Sequence, residues 1–209
     1  MNILIADDHS IVRRGLIELI MDEFPAAKIT EAVNGSEVIA QIRLQEWDLI
    51  LMDISMPRIN GVEALKQIRS EKIKTPILML SMHSEDQYAI RVLKAGASGF
   101  LNKDSAIEEL IVAIKRLLLG KKYISESVAD RLADMSNFKL NNNSLHEQLS
   151  DREMQIFILL AKGCQVSEIG DQLSLSVNTI STYRARVLEK LQLKNNAEIA
   201  RYAIENELA

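Results

Sequence analysis

The chain has 209 residues, of which 47% are hydrophobic, 26% charged and 4% aromatic, with only 8 Gly and 3 Pro. This composition excludes disordered and fibrous classes, and the length, above the roughly 150 residues of an average domain, predicts two modest domains rather than one large enzyme core. A single cysteine, Cys164, excludes an intrachain disulfide framework and a multi-thiolate zinc site, and a net charge of −4 means that any basic surface is local.

The opening Met1-Asn2-Ile3-Leu4-Ile5-Ala6-Asp7-Asp8 lacks a basic leader and meets two acids where the apolar stretch of a signal peptide would continue. No segment approaches the roughly 18 uninterrupted apolar residues of a membrane helix, so a cytoplasmic protein without a membrane partner is expected. Up to about residue 119, short aliphatic runs at Ile3–Ala6, Lys28–Ala32, Leu49–Met52, Ile77–Leu80 and Gly99–Leu101 alternate with segments of helical period. The period is clearest in Ile107, Leu110, Ile111, Ile114, Leu117 and Leu118. Ser84 with Gln87 and Ser105 with Glu108 have the spacing of capping boxes. Five strands alternating with five helices predict an α/β domain, an open, doubly wound, five-stranded parallel sheet whose site lies at the carboxyl ends of the strands.

Residues 121–148 read as a linker: Gly120-Lys121-Lys122 ends the last helix, a short helical stretch lies near Ser127–Met135, and Asn141-Asn142-Asn143-Ser144 is loop-like. From Leu149 to Ala209 the pattern is wholly helical, opening with a capping box in Ser150-Asp151-Arg152-Glu153. Four helices are predicted, Asp151–Lys162, Val166–Leu173, Val177–Leu191 and Ala197–Asn206, the second and third separated only by Ser174-Leu175-Ser176 with Ser176 as N-cap. That is the pattern of a helix-turn-helix, whose second helix enters a DNA major groove. Along it Val177, Ile180, Val187, Leu188 and Leu191 are expected to face a core, and Asn178, Ser181, Thr182, Arg184, Ala185 and Arg186 to face outward. Residues 184–201 carry Arg184, Arg186, Lys190, Lys194 and Arg201 against Glu189 and Glu198, although 149–209 as a whole holds 7 Lys and Arg against 8 Asp and Glu. Small polar groups beside arginines suit base edges and phosphates respectively.

Asp7 and Asp8 follow the first predicted strand and Asp53 the third, and in a doubly wound sheet those two ends converge. Clustered carboxylates raise one another's pKa, and a divalent cation such as Mg²⁺ relieves the repulsion. Ser81 ends the fourth strand and Lys103 follows the fifth, adding a hydroxyl and an amine to the same rim. Such a set suits a phosphoryl group, with a carboxylate as nucleophile. A Mg²⁺-dependent phosphatase of the haloacid dehalogenase type also uses an Asp after a strand. Those enzymes resemble one another in Asp-x-Asp, however, and the third position here is Ser55, which predicts poor turnover.

The segments Ile5-Ala6-Asp7-Asp8-His9, Leu51-Met52-Asp53-Ile54-Ser55-Met56-Pro57 with Gly61, Leu80-Ser81 and Lys103 make residues 1–120 closely similar to the receiver domain of bacterial two-component response regulators. Residues 149–209 resemble the LuxR-type DNA-binding domain through Leu149-Ser150-Asp151-Arg152-Glu153, Leu160-Ala161-Lys162-Gly163, Glu168-Ile169, Leu173, Ser176-Val177-Asn178-Thr179-Ile180 and Lys190-Leu191. Together these resemble the NarL/FixJ class of transcriptional regulators, and Thr179-Ile180-Ser181-Thr182-Tyr183-Arg184 its BvgA-like branch. The resemblance implies a phosphorylation-controlled regulator in which a partner histidine kinase phosphorylates Asp53. It implies Mg²⁺ held by Asp8, Asp53 and the carbonyl of Ser55, with Asp7 acting through water. Ser81 and Lys103 would grip the phosphoryl oxygens, and Phe100 would be the aromatic switch. It further implies promoter DNA bound by a homodimer, with Ser181, Thr182 and Ala185 towards bases, Arg184, Arg186 and Lys190 towards phosphates, and Asn178 on the same DNA-binding face. One departure stands at Asp104, where many receivers have proline; a cis bond there would cost roughly 3 kcal/mol more than at a prolyl one.

Overall fold

The computed structural model describes residues 1–82, 85–103, 106–125, 128–129, 145–206 and 208. The chain divides into two compact units, Met1–Met135 and Ser136–Ala209.

In the first unit, β1 (Asn2–Ala6), β3 (Leu49–Asp53) and β4 (Ile77–Ser81) are almost continuously apolar and buried, because central parallel strands are covered on both faces. The outer strand β2 (Lys28–Ala32) keeps Lys28 and Glu31 exposed, and β5 (Gly99–Asn102) closes the other side. The order is β2-β1-β3-β4-β5, all parallel, so the winding reverses between β1 and β3. The intervening helices are α1 (Ser10–Glu23), α2 (Gly35–Ile42), α3 (Gly61–Ser70) and α4 (Glu85–Lys94), and α5 (Ala106–Leu118) follows β5. Ile3, Ile5, Leu49, Leu51, Leu78, Leu80 and Leu101 form one core with Leu16 and Ile20 of α1 and with Leu110, Ala113, Ile114 and Leu117 of α5. The period of two along a strand sends Leu4, Ile50, Met52, Met79 and Phe100, all buried, to the opposite face.

The ladders run one residue further than the sequence suggests. Asp53 pairs with Leu80 and Ser81 with Asn102, so Asp53 is the last residue of its strand rather than the first beyond it, and Ser81 ends the neighbouring one. The amide oxygens of Asn34 and Asn60 accept the Glu37 and Glu63 N–H groups and cap α2 and α3, signals that the sequence reading passed over. The boxes expected at Ser84 and Ser105, the Lys103–Asp104 peptide and Asn141–Ser144 lie outside the described residues, as does Ser127–Met135 apart from Val128 and Ala129.

The start of the expected 121–148 linker is corrected. After α5 the chain returns to the edge of β5, where the Tyr123 N–H donates to Ser98 O at 3.1 Å and the Phe100 N–H donates to Tyr123 O at 3.2 Å. The Tyr123 hydroxyl donates to Glu109 of α5, and both Tyr123 and Val128 are buried. This approach requires a glycine, since a Cβ on Gly99 would stand 2.7 Å from Tyr123 O. The segment read as a linker thus begins as an extra edge pairing, because the β5 edge and a tyrosine find partners there.

The second unit opens with a 3₁₀ turn, Leu145–Gln148, followed by α6 (Asp151–Ala161), α7 (Val166–Leu173), α8 (Val177–Leu191) and α9 (Asn196–Glu205). The Ser150–Glu153 capping box forms as expected. Ile156, Phe157, Ile169, Leu173, Ile180, Val187, Leu191, Ile199 and Ala203 are buried, and the Phe157 ring meets Tyr202 edge-on at 6.2 Å. Val177, expected in that core, is 51% exposed: as the first residue of α8 it lies at the rim, beyond the helix contacts that cover Ile180.

Gly99→Ala should cost about 1–3 kcal/mol, the usual penalty of overpacking. It should also speed hydrogen exchange of the Phe100 amide; unchanged protection of that amide would refute the pairing.

Candidate functional site

The reversal of winding brings the carboxyl ends of β1 and β3 side by side, with β5 supplying a cation from the far side of β4. Asp7 follows β1; its side chain is fully buried, its Oδ1 accepts the His9 N–H at 2.8 Å, and its carbonyl accepts from Arg13 Nη1 at 2.7 Å. Arg13 is itself held by Glu31 at 2.8 Å. Asp53, with a side chain 2% exposed, accepts the Ser55 N–H on Oδ2 at 3.0 Å. Lys103 Nζ then lies 2.5 Å from Asp7 Oδ2 and 2.7 Å from Asp53 Oδ1. One ammonium therefore joins residues 96 positions apart in the chain. The turn after β3 is locked by the Gly61 N–H donating to Ile54 O at 3.0 Å, and a Cβ on Gly61 would stand 2.0 Å from Asp53 O. A glycine is therefore required there for the backbone to come so close to the carboxylate.

Burial pushes the pKa of Asp53 up to about 6; Lys103 opposes the rise, while Asp7 and Asp8 add to it. Burial alone would lower the Lys103 ammonium, but Asp53 and Asp7 outweigh it and raise its pKa. Three carboxylates stand against one ammonium, which leaves room for further positive charge. Asp8 Oδ1 is buried without a hydrogen-bond partner; His9 Nδ1 lies 2.9 Å away, off the line of a hydrogen bond. Asp7, Asp8 and His9 place their ligand atoms within 4.8 Å of one another. An orphaned carboxylate oxygen and hard oxygen donors fit a divalent cation of the Mg²⁺ kind.

In the second unit α7 ends at Ser174 in the left-handed conformation (φ 53°), and the Ser176 hydroxyl accepts the Thr179 N–H at 3.1 Å to start α8. Close packing across this turn leaves no room for a side chain on Gly170, whose Cβ would stand 2.8 Å from Leu175 O. The outward face of α8 exposes Asn178, Ser181, Thr182, Ala185 and Arg186. A shallow concavity of about 350 Å³ is lined by Asn178, Thr179, Thr182, Tyr183 and Arg186. The Arg186 guanidinium lies 5.8 Å from the Tyr183 ring centroid, and Arg184 Nε donates to Asn196 at 2.6 Å.

Residues 3–115 match the response regulator receiver domain, and residues 147–203 match the luxR family of bacterial regulatory proteins. Over 207 residues the chain is 35% identical to the response regulator UvrY of Escherichia coli strain K12, covering 99% of this chain and 95% of that one. It is 35% identical to the response regulator GacA of Pseudomonas viridiflava over 203 residues, 97% of this chain and 94% of the other. Among solved structures, it resembles RcsB of Salmonella enterica serovar Typhimurium bound to promoter P1flhDC in the presence of the phosphomimetic BeF3−. That likeness has a TM-score of 0.59 at 27% identity, covering 97% of each chain. The chain belongs to the response regulators that join a receiver domain to a LuxR-family DNA-binding domain. It is a DNA-binding transcription regulator and not an enzyme, which sets aside the phosphatase alternative.

In this response regulator Asp7, Asp8, Asp53 and Lys103, read from strand-end positions, lie together, and Ser55, named through the resemblance, donates its N–H to Asp53. Ser81 ends the adjoining strand, with its side chain buried, and Phe100 is buried in β5 opposite Met79. Lys190, expected to face a phosphate, bonds through its ammonium to Glu153 at 2.6 Å and to the Gln148 carbonyl at 3.3 Å. His9 and Arg13, which hold Asp7 in place, were passed over because their role depends on the fold of the β1–α1 turn. Thr179 and Tyr183 were passed over because their neighbourhood with Arg186 appears only once α8 is a helix.

The raised pKa of Asp53 carries a stability consequence. In the unfolded chain it titrates near the ordinary value of 3.8, and in the folded protein near 6. The folded state thus holds the proton more tightly, and stability falls as pH rises through that window. In EDTA, Asp53→Asn should raise the unfolding free energy measured by urea titration above pH 6, by up to about 3 kcal/mol. The gain should fade as pH falls from 6 to 4; a pH-independent difference would contradict this ionisation.

Proposed function

We propose that the protein is switched by transfer of a phosphoryl group from a partner histidine kinase to Asp53, and that the switch governs binding of a homodimer to promoter DNA. The observation that carries this reading is the Lys103 ammonium held between the buried carboxylates of Asp7 and Asp53. Asp53 has a pKa near 6, so at neutral pH it is mostly ionised and nucleophilic. Its carboxylate oxygen forms a bond to phosphorus as the P–N bond of the kinase phosphohistidine breaks, and the departing imidazole nitrogen takes the electron pair. Asp7, Asp8, Asp53 and the Ser55 carbonyl would hold Mg²⁺, which when bound supplies charge neutralisation for the phosphoryl oxygens. Lys103 and the Ser81 hydroxyl donate to those oxygens. The new acceptors draw both groups inward, which biases the packing around Phe100.

On the DNA side, Asn178, Ser181, Thr182 and Ala185 approach base edges, while Arg184 and Arg186 meet phosphates. RcsB, seen bound to promoter DNA and as dimers on parallel DNAs, supports binding of promoter DNA by a homodimer. No helix among the described residues is long and apolar enough to cross a membrane, which fits action on cytoplasmic DNA.

Incubation with acetyl phosphate and Mg²⁺ should add one phosphoryl mass to the wild-type chain and none to Asp53→Asn; equal labelling of both would sink the assignment. Asp8→Ala should abolish Mg²⁺ binding by titration calorimetry, whereas Lys103→Ala should keep the metal and lose the response to phosphorylation.

The reading of DNA makes a separate prediction. Arg186→Ala should weaken binding to all duplexes and flatten the salt dependence by about one unit. Thr182→Ala should change preference at particular base pairs by roughly 1–3 kcal/mol with the salt slope intact. Isotherms on a matched and a scrambled site at several salt concentrations separate the two; uniform losses in both variants would overturn the division of roles.

A further inference from the structure

Lys190 joins the C-terminal turn of α8 to two other elements at once. Its ammonium bonds Glu153 Oε2 at 2.6 Å and the Gln148 carbonyl at 3.3 Å. The same Oε2 accepts the Ser150 N–H at 2.7 Å, so one carboxylate oxygen serves both the N-terminal cap of α6 and the end of α8. The pair is asymmetric: the Glu153 side chain is 4% exposed and that of Lys190 37%. Burial by itself would raise Glu153, but Lys190 and Ser150 hold its pKa below the usual glutamate value. A buried carboxylate that loses its cation is strongly unfavourable, so this partner is required by Glu153 rather than free for another anion.

The position along the helix agrees. At about 100° per residue, Lys190 lies roughly 120° round from Asn178 and about 80° from Ile180. It therefore sits on the flank, between the outward stripe of Asn178, Thr182 and Arg186 and the buried stripe of Ile180, Val187 and Leu191. Any rotation or lift of α8 against α6 would displace Asn178, Thr182 and Arg186 together.

We propose that Lys190 and Glu153 are positioning residues for DNA recognition: their ion pair fixes α8 against the start of α6 and the turn ending at Gln148, and Lys190 does not neutralise a DNA phosphate. This rests on the reading of α8 as the recognition helix. Because both side chains act through one contact, removing either should have the same effect as removing both.

Binding of the full-length chain to a fluorescein-labelled mixed-sequence duplex, measured by anisotropy across a salt series, tests this without knowledge of the promoter. The variants are Lys190→Met, Glu153→Gln, the double substitution and Lys190→Arg, with Arg186→Ala as the reference phosphate contact. Glutamine at 153 keeps an acceptor for the Ser150 N–H, so the cap of α6 survives, and binding is read below the melting onset of each variant by circular dichroism. Lys190→Met and Glu153→Gln should each weaken binding about 5- to 30-fold with salt lines parallel to wild type. The double variant should be no weaker than either single one, and Lys190→Arg should recover most of the affinity. The proposal is overturned if Lys190→Met flattens the salt slope by about one unit, as Arg186→Ala should, while Glu153→Gln binds as wild type or tighter. It is equally overturned if neither variant changes affinity. A wild-type chain with no salt-dependent binding to any duplex would instead remove the recognition-helix reading itself.

Discussion

Everything in the receiver unit converges on the problem of holding several buried carboxylates together. Lys103 solves part of it, placing one ammonium within hydrogen-bond reach of both Asp7 and Asp53. The remaining excess of negative charge is a standing cost to folding, visible in the elevated pKa of Asp53 and in the unpartnered Asp8 oxygen. An excess of buried negative charge of this kind is what a bound cation would relieve. The surrounding architecture follows from that need: parallel register brings the strand ends level, Arg13 holds the Asp7 carbonyl, and Gly61 lets the backbone close beneath Asp53.

The route out of the receiver unit runs along the same sheet. β5 carries Phe100, and the amide of Phe100 donates to Tyr123 after α5 has crossed back. Tyr123 is therefore hydrogen-bonded to the one strand that both bears the expected switch residue and precedes Lys103. A shift in β5 alters that pairing geometry directly, because Gly99 leaves no slack between strand and Tyr123.

In the DNA-binding unit a bundle of about 60 residues buries too little surface for packing alone to define helix orientation tightly. Polar pins supplement it. Ser176 starts the recognition helix, Arg184 ties it to α9 through Asn196, and Lys190 ties its end to α6 through Glu153. Arg186, on the outward face, lies over the ring of Tyr183, which restricts where its charge can point.

Sequence by itself determined the order and type of the elements, since hydrophobic period and strand-end acids are local signals: Asp7, Asp8, Asp53 and Lys103 were legible as a cluster because a doubly wound sheet must place them together. The helix-turn-helix was legible from its three-residue turn and the N-cap at Ser176 for the same reason. Tertiary structure decided what depends on a partner distant in the chain. Lys190 reads from sequence as a DNA-facing cation because Glu153, 37 residues earlier, gives no local sign of meeting it. Val177 reads as core because the period extends to it, although at the very start of α8 it lies exposed at the rim while Ile180 is buried. Tyr123 reads as linker because strand-edge pairing leaves no periodicity when a single residue makes it. Local patterns specify which face a side chain takes, whereas the identity of its partner is set only when separate segments fold against one another.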